Sequence, residues 1–262
     1  MRWCRFQWGQ NEARYGVIED GLVVAMQGTP FGDHRRTFET HPLADVRLLV
    51  PVVPPTFYAA GVNYREHVTE MARLRGEQPQ FPPHADVGYR ANNALVADGE
   101  PIVIPSDATD EVQYEGELVV VFGRTCHRVA EAEALDYVLG YTIGNDVSER
   151  SWQRADRTLW RAKNTDTFKP MGPWIETGLE PDDLQVTIRV NGRSMYTYRV
   201  GDAIFGVREY ISRMSQYLTL HPGDVLWMGT DGPTKNIAHG DVVEIEVPGI
   251  GVLRNPVVRE GA

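Results

Sequence analysis

The sequence predicts an α+β, β-rich fold, and three observations carry that reading. The apolar runs are short: LVVVFG, VTIRVNG, VVEIEVPG and VLRNPVV each have strand length and end on turn residues. Gly (25) and Pro (17) are plentiful enough to punctuate many short elements. Helical spacing of apolar residues recurs in only a few segments. No fixed-period repeat and no low-complexity tract is present. At 262 residues the chain has room for one or two domains with a sizeable core.

The elements follow in order. Residues 1 to about 50 read as a small β-rich unit, with YGVIEDGLVVAM forming two strands around Glu19-Asp20-Gly21. ADVRLLVPVVPP runs into a proline pair, so the expected division is a small N-terminal domain over 1–55 and a catalytic domain over 56–262. Tyr64 to Arg75 has helical spacing, with Val68, Met71 and Leu74 about one turn apart. Residues 77–93 are proline-rich and aperiodic, which fits either a lid or an ordinary surface connection. Strands are expected at Pro101–Pro105, Gln113–Gly123 and Gly140–Gly144, with a short helix at Ala130–Leu139. Ser148–Ala162 reads as one helix ending before Lys163. Thr187–Val190 is a strand entering an Asn191-Gly192 turn, and Phe205–Leu220 an amphipathic helix. Val225–Met228 is a strand, and a hairpin through Pro248-Gly-Ile-Gly251 closes the chain.

Charge and composition disfavour some functions. With 26 basic and 36 acidic residues the net charge is −10, and a nucleic-acid binder would show a basic face. The longest dense apolar stretch, Leu118 to Phe122, is far short of a membrane span, and the N-terminal residues lack the apolar centre of a secretory signal. Cys4 and Cys126 cannot form a disulfide framework, and Cys126 reads as a packing residue. The expectation is a cytoplasmic protein with no nucleic-acid or membrane partner. There is no G-x-S-x-G, no H-E-x-x-H and no P-loop, and Gly249-Ile-Gly251 lacks the third glycine of a dinucleotide site.

The chemistry gathers around carboxylates. In the strand YEGELVVVF, Glu115 and Glu117 face the same way as Val119 and Val121, while Gly116, Leu118, Val120 and Phe122 form the other face. Both faces are apolar, so the strand is buried with two carboxylates at one end. Ionised carboxylates close together in an interior repel and are costly to desolvate, and a cation between them resolves both problems. Asp146 follows another apolar strand. Three carboxylates at strand ends describe a hard oxygen site for Mg²⁺ or Mn²⁺, with Ca²⁺ also compatible. Glu115 and Glu117 also fit a solvated strand end. His67 and Glu70 are three residues apart on the expected helix; that spacing serves either a water-activating pair or a surface ion pair. Lys163 suits an anion-stabilising role or plain solvation. Arg150 and Gln153 follow Asp146 by four and seven residues, on one helical side. Thr230 could present a hydroxyl to a ligand or simply occupy a turn. Of the other histidines, His84 lies in the lid candidate.

Five stretches then meet in one order: GVNYREHVTE, YEGELVVVFG, LGYTIGNDVSERSWQ, AKNTDTFKPMGPW and GDVVEIEVPGIGVLRNPV, spanning roughly residues 56 to 258. Together they resemble the fumarylacetoacetate hydrolase superfamily, including its acylpyruvase, fumarylpyruvate hydrolase and 2-hydroxyhepta-2,4-diene-1,7-dioate isomerase members. The resemblance implies a mixed β-sheet roll, a homodimer, and a Mg²⁺ or Mn²⁺ site at Glu115, Glu117 and Asp146. It implies a His67–Glu70 dyad on a segment that orders with ligand, and catalytic roles for Lys163 and Gln153. It assigns Arg150, Thr230, Arg90 and Tyr64 to the substrate. Three departures surround the pocket. Arg90 stands where a lysine is usual, Gln113 stands for the aspartate before Y-E-x-E, and Asp231-Gly-Pro-Thr-Lys235 replaces the usual Pro-x-Gly turn.

The expected function is a metal-dependent hydrolase. It would cleave a C–C bond in a 2,4-dioxo acid of acylpyruvate or fumarylpyruvate type through a metal-stabilised enolate, with His67–Glu70 activating water. The alternative is a decarboxylase, isomerase or hydratase of a 2-oxo dicarboxylic acid at the same metal site. A non-catalytic ligand binder of the same fold is disfavoured, because no carboxylate of the site is missing.

Overall fold

The structure, a computed structural model, describes residues 1–262 apart from the side chains of Leu74 and Arg75. The expected contribution of Leu74 to a helical stripe therefore lies outside the described residues. The fold is α+β and β-rich, built on one large mixed sheet. Its order begins with an N-terminal antiparallel meander: His34–Pro42, Leu22–Gly28, Arg14–Glu19 and Arg2–Gln7. The expected hairpin turn falls at Asp20-Gly21, both with positive φ. Arg2–Gln7 then pairs antiparallel with Lys169–Glu176, so these strands continue the sheet that carries the carboxylates. Beyond it lie Val138–Asn145, Gly116–Phe122, Val225–Trp227, Phe57–Ala60 and Val87–Tyr89.

A second sheet of five strands runs Arg193–Arg199, Gln185–Val190, Val242–Val247, Gly251–Arg259 and Ile102–Ile104. The largest apolar core joins the two sheets: Leu118 and Val120 come from the first, Ile188, Ile245 and Leu253 from the second. Val119 and Val121 point to the opposite face, into a core with Trp3, Val17 and Trp227. This is why Gly116–Phe122 is buried on both faces, as its unbroken apolar run implied. Among the described residues no helix is long and apolar enough to cross a membrane. Cys4 and Cys126 are buried free thiols.

Helix α1 spans Arg65–Arg75, α2 Arg150–Ala155, α3 Trp160–Asn164 and α4 Val207–Ser215. Two departures from the sequence expectation matter for the site. The single helix expected over Ser148–Ala162 is broken. Ser148–Glu149 instead pairs as a strand with Val112–Gln113, and Glu149 then caps α2 through the Trp152 N–H. Leu159 takes a left-handed conformation, and Asp156 accepts the Ala162 N–H at 3.0 Å to start α3. The break places Lys163 inside α3 rather than after a helix end. The strand expected over Gln113–Gly123 is likewise interrupted at Tyr114-Glu115, between Val112–Gln113 and Gly116–Phe122. The α4 segment is also shorter than its apolar pattern, because Gly206 starts it and the chain tightens into turns after Ser215.

Candidate active site

Strand register builds the site. Gly116–Phe122 pairs antiparallel with Val138–Asn145, Gly116 opposite Asn145 and Glu117 opposite Gly144. The next pair outward is Glu115 with Asp146, joined by the Asp146 N–H on the Glu115 carbonyl at 2.8 Å. Alternation puts Glu115 and Glu117 on one face, as expected. Carboxylate oxygens of Glu115, Glu117 and Asp146 all lie within 4.8 Å of one another, and all three side chains are buried.

Cations close the cluster from the other side. The Lys163 ammonium bridges Glu115 and Asp146, 2.8 Å from Asp146 Oδ2. Arg90 grips Asp146 with two bonds, Nε to Oδ1 at 3.1 Å and Nη2 to Oδ2 at 2.8 Å. Arg150 Nη2 donates to Glu115 Oε1 at 2.6 Å, while its Nε and Nη1 reach Gln113 and Gln153. Lys169 Nζ lies 2.8 Å from Asp146 Oδ1 and donates to the carbonyls of Val147 and Phe168 at 2.9 Å. Among the described residues Glu117 has no cation of its own; its Oε2 accepts the Gly229 N–H at 2.8 Å.

The electrostatics follow. Burial would raise Glu115, but Arg150 and Lys163 outweigh it and hold the carboxyl down at about 2. Asp146, under the same opposition between burial and Arg90, Lys163 and Lys169, is held well below the ordinary range. Glu117 goes the other way: burial, then repulsion from Asp146 and Glu115, push it up to about 8. Burial also brings Lys169 down to about 7, against the pull of Asp146. The cations pair with Glu115 and Asp146, and among the described residues none pairs with Glu117, so the raised Glu117 marks a local shortage of positive charge on its side of the triad. The triad therefore fits a divalent cation, and a hard ion suits its all-oxygen donors.

The carboxylates lie in the wall of a cavity of about 710 Å³. His67, Arg90, Arg150, Gln153, Lys163 and Thr230 also line it, as does the segment 77–86 through Gln78, Gln80, Phe81 and Pro82. Two predicted residues are not brought there. Tyr64 is fully buried against Tyr198, its hydroxyl 3.5 Å from the Val200 carbonyl, because the residue before α1 packs into the core between the sheets. Glu70 gives both carboxylate oxygens to Arg73, at 2.7 Å each, so the His67–Glu70 dyad is not assembled. The ring of His67 meets Gly232 instead. His84 is exposed and outside the cavity wall.

Sequence reasoning missed Lys169, Gly229 and Asp231. A lysine opening the largely apolar strand Lys169–Glu176 was a readable sign of a buried charge partner. Nothing local pointed to Gly229, whose role is a backbone N–H. The departure at Gln113 has a structural account: its carbonyl accepts from both Arg150 and Thr234.

The family model for the fumarylacetoacetate (FAA) hydrolase C-terminal region matches residues 56–258, and a Rv2993c-like N-terminal model matches residues 1–51. The chain belongs to the fumarylacetoacetate hydrolase family. Mycobacterium tuberculosis protein Rv2993c is 42% identical over 88% of this chain and 86% of its own length. The crystal structure of a protein from Mycobacterium smegmatis, described as 5-carboxymethyl-2-hydroxymuconate delta-isomerase, is 39% identical. It superposes with a TM-score of 0.89 over 99% of this chain and 100% of that one. The oxaloacetate tautomerase YisK of Bacillus subtilis is 33% identical over 82% of this chain and 74% of its own length. This family member thus carries the mixed-sheet fold, the small N-terminal β unit and a buried triad suited to a divalent metal.

Proposed function

We propose that this enzyme interconverts enol and keto forms of a 2-oxo dicarboxylic acid, as an isomerase or tautomerase, at a divalent metal held by Glu115, Glu117 and Asp146. The observation that carries the choice is the pairing of Glu70 with Arg73. C–C hydrolysis needs an activated water, and the acid expected to activate His67 is engaged by Arg73 instead. Proton transfer at carbon needs only one positioned base and a stabilised enolate oxygen. The names printed for the M. smegmatis and B. subtilis relatives, an isomerase and a tautomerase, support the same branch.

Bound Mg²⁺ or Mn²⁺ would supply Lewis-acid stabilisation of the enolate oxygen. The chain's own residues do the rest. Arg90, Arg150, Lys163 and Lys169 face three carboxylates, so the polar end carries a formal excess of positive charge even before any metal. That excess favours a substrate bringing two negative charges. Gln153 and Thr230 supply polar contacts beside this cluster. His67, which lines the same cavity, would move the proton on and off carbon. Residues of the segment 77–86, Phe81 and Pro82 among them, line the same cavity.

Oxaloacetate and acetylpyruvate, each with Mn²⁺ and with EDTA, separate the branches when products are followed by absorbance and NMR. Metal-dependent ketonisation of enol-oxaloacetate without acetate release from acetylpyruvate is the expected result. Pyruvate plus acetate from acetylpyruvate would overturn the choice and restore the hydrolase.

A further inference from the structure

His67 reaches the cavity from α1, yet the contacts that hold it come from another part of the chain. Its Nδ1 lies 3.1 Å from the carbonyl oxygen of Gly232. A carbonyl only accepts, so Nδ1 carries the proton, and in the neutral ring Nε2 keeps the lone pair. The backbone N–H of His67 donates to Asp231 Oδ1 at 3.1 Å. This N–H is at the third position of α1, one of the groups a helix start leaves unsatisfied, and Tyr64 at the cap position offers no side-chain acceptor. Asp231 fills that role from a loop 164 residues away, with its charge at the positive end of the helix.

The turn is itself locked. Gly232 has φ +73°, and a Cβ there would lie 2.4–2.5 Å from the Tyr196 ring. The Tyr196 hydroxyl returns to α1, donating to Glu66 at 2.5 Å. Helix, turn and tyrosine therefore form one closed set of contacts around His67, with Thr230 of the same loop in the cavity wall.

We propose that the Asp231–Gly232 turn is the positioning element of His67, fixing the ring as the Nδ1–H tautomer with Nε2 free for proton transfer. This is the part that helical spacing assigned to Glu70. The catalytic half of the proposal rests on His67 being the proton-transfer group; the tautomer does not.

The test uses full-length protein labelled with ¹⁵N-histidine, with long-range ¹H–¹⁵N spectra recorded where the ring is neutral and His67 assigned by comparison with His67→Ala. Wild type should show a single Nδ1–H tautomer. Asp231→Ala should show mixed tautomers and a kcat for oxaloacetate ketonisation lowered about tenfold or more, with KM changed less than about twofold. Asp231→Asn keeps an acceptor oxygen and should restore both. Should Asp231→Ala not fold, Gly232→Ala displaces the same turn and should mix the tautomers in its place. An Nε2–H ring in wild type, or a single tautomer with unchanged kcat in Asp231→Ala, would overturn the proposal. Wild type inert toward oxaloacetate but showing the expected spectra would sink the tautomerase reading while supporting the positioning of His67.

Discussion

Metal binding should be strongly pH-dependent, and Glu117 is the reason. In the metal-free protein its carboxyl is pushed up to about 8, first by burial and then by Asp146 and Glu115. A ligand to a divalent ion must be ionised, so binding below that value has to expel a proton. Well below that value each pH unit costs about 1.4 kcal/mol, and with half of Glu117 already protonated at pH 8 the affinity for Mn²⁺ should fall about fiftyfold between pH 8 and pH 6. At pH 7 about nine tenths of a proton should leave Glu117 per ion bound. Lys169, brought down to about 7 by burial, can contribute about half a proton more if the ion's charge discharges it. Isothermal titration calorimetry in two buffers of different ionisation enthalpy reads this number directly. Glu117→Gln should bind more weakly at pH 8 but with a much flatter pH dependence. Wild-type affinity that is flat from pH 6 to 8, with no proton released, would refute the reasoning. The sign for stability is opposite to the usual carboxylate case. Glu117 is raised relative to the unfolded chain, so its contribution is fully present below about pH 4.5 and is lost as pH rises toward 8. The metal-free protein should therefore lose Tm from pH 5 to 7, and saturating Mn²⁺ should remove that slope.

Three further outcomes are expected. Arg90→Ala removes the two-bond competitor for Asp146; Mn²⁺ should bind about tenfold tighter by calorimetry while KM for oxaloacetate rises, and weaker metal binding would contradict the geometry. Glu70→Gln should change kcat for ketonisation less than about twofold and stability by under about 1 kcal/mol, since only an exposed pair is lost; a hundredfold loss of kcat would revive the dyad. Gly144→Ala would place a Cβ 2.6–2.8 Å from the Trp227 ring in the strand leading to Asp146, and should cost about 1–3 kcal/mol in denaturant unfolding; an unchanged midpoint would contradict the packing.

Much of the site was legible because strand periodicity is local. Glu115 and Glu117 could be placed on one face from spacing alone, and the apolar run behind them fixed that strand as buried. Asp146 was readable as the end of a neighbouring apolar strand, and Lys163, Arg150 and Gln153 came through the family pattern. What escaped depends on contacts between distant segments. Helical spacing places Glu70 equally near His67 and Arg73, and only the fold shows that it takes Arg73. Asp231 reaches His67 across 164 residues, so no window of sequence contains both. The broken helix at Asp156–Leu159 was hidden because Asp156 looks like any surface residue until it is seen capping Ala162. Lys169 was passed over although a lysine within a buried strand is itself a signal.

The central claim is that this chain forms a metal-stabilised enolate of a 2-oxo acid. The most direct measurement is deuterium exchange at C3 of 2-oxoglutarate in D₂O, followed by proton NMR, because this dicarboxylic acid offers neither an acyl C–C bond to hydrolyse nor a carboxylate β to the keto group to lose. Exchange with Mg²⁺ or Mn²⁺ that disappears in EDTA and in His67→Ala is the predicted result. Exchange no faster than in protein-free buffer, or equally fast in EDTA, would contradict the account.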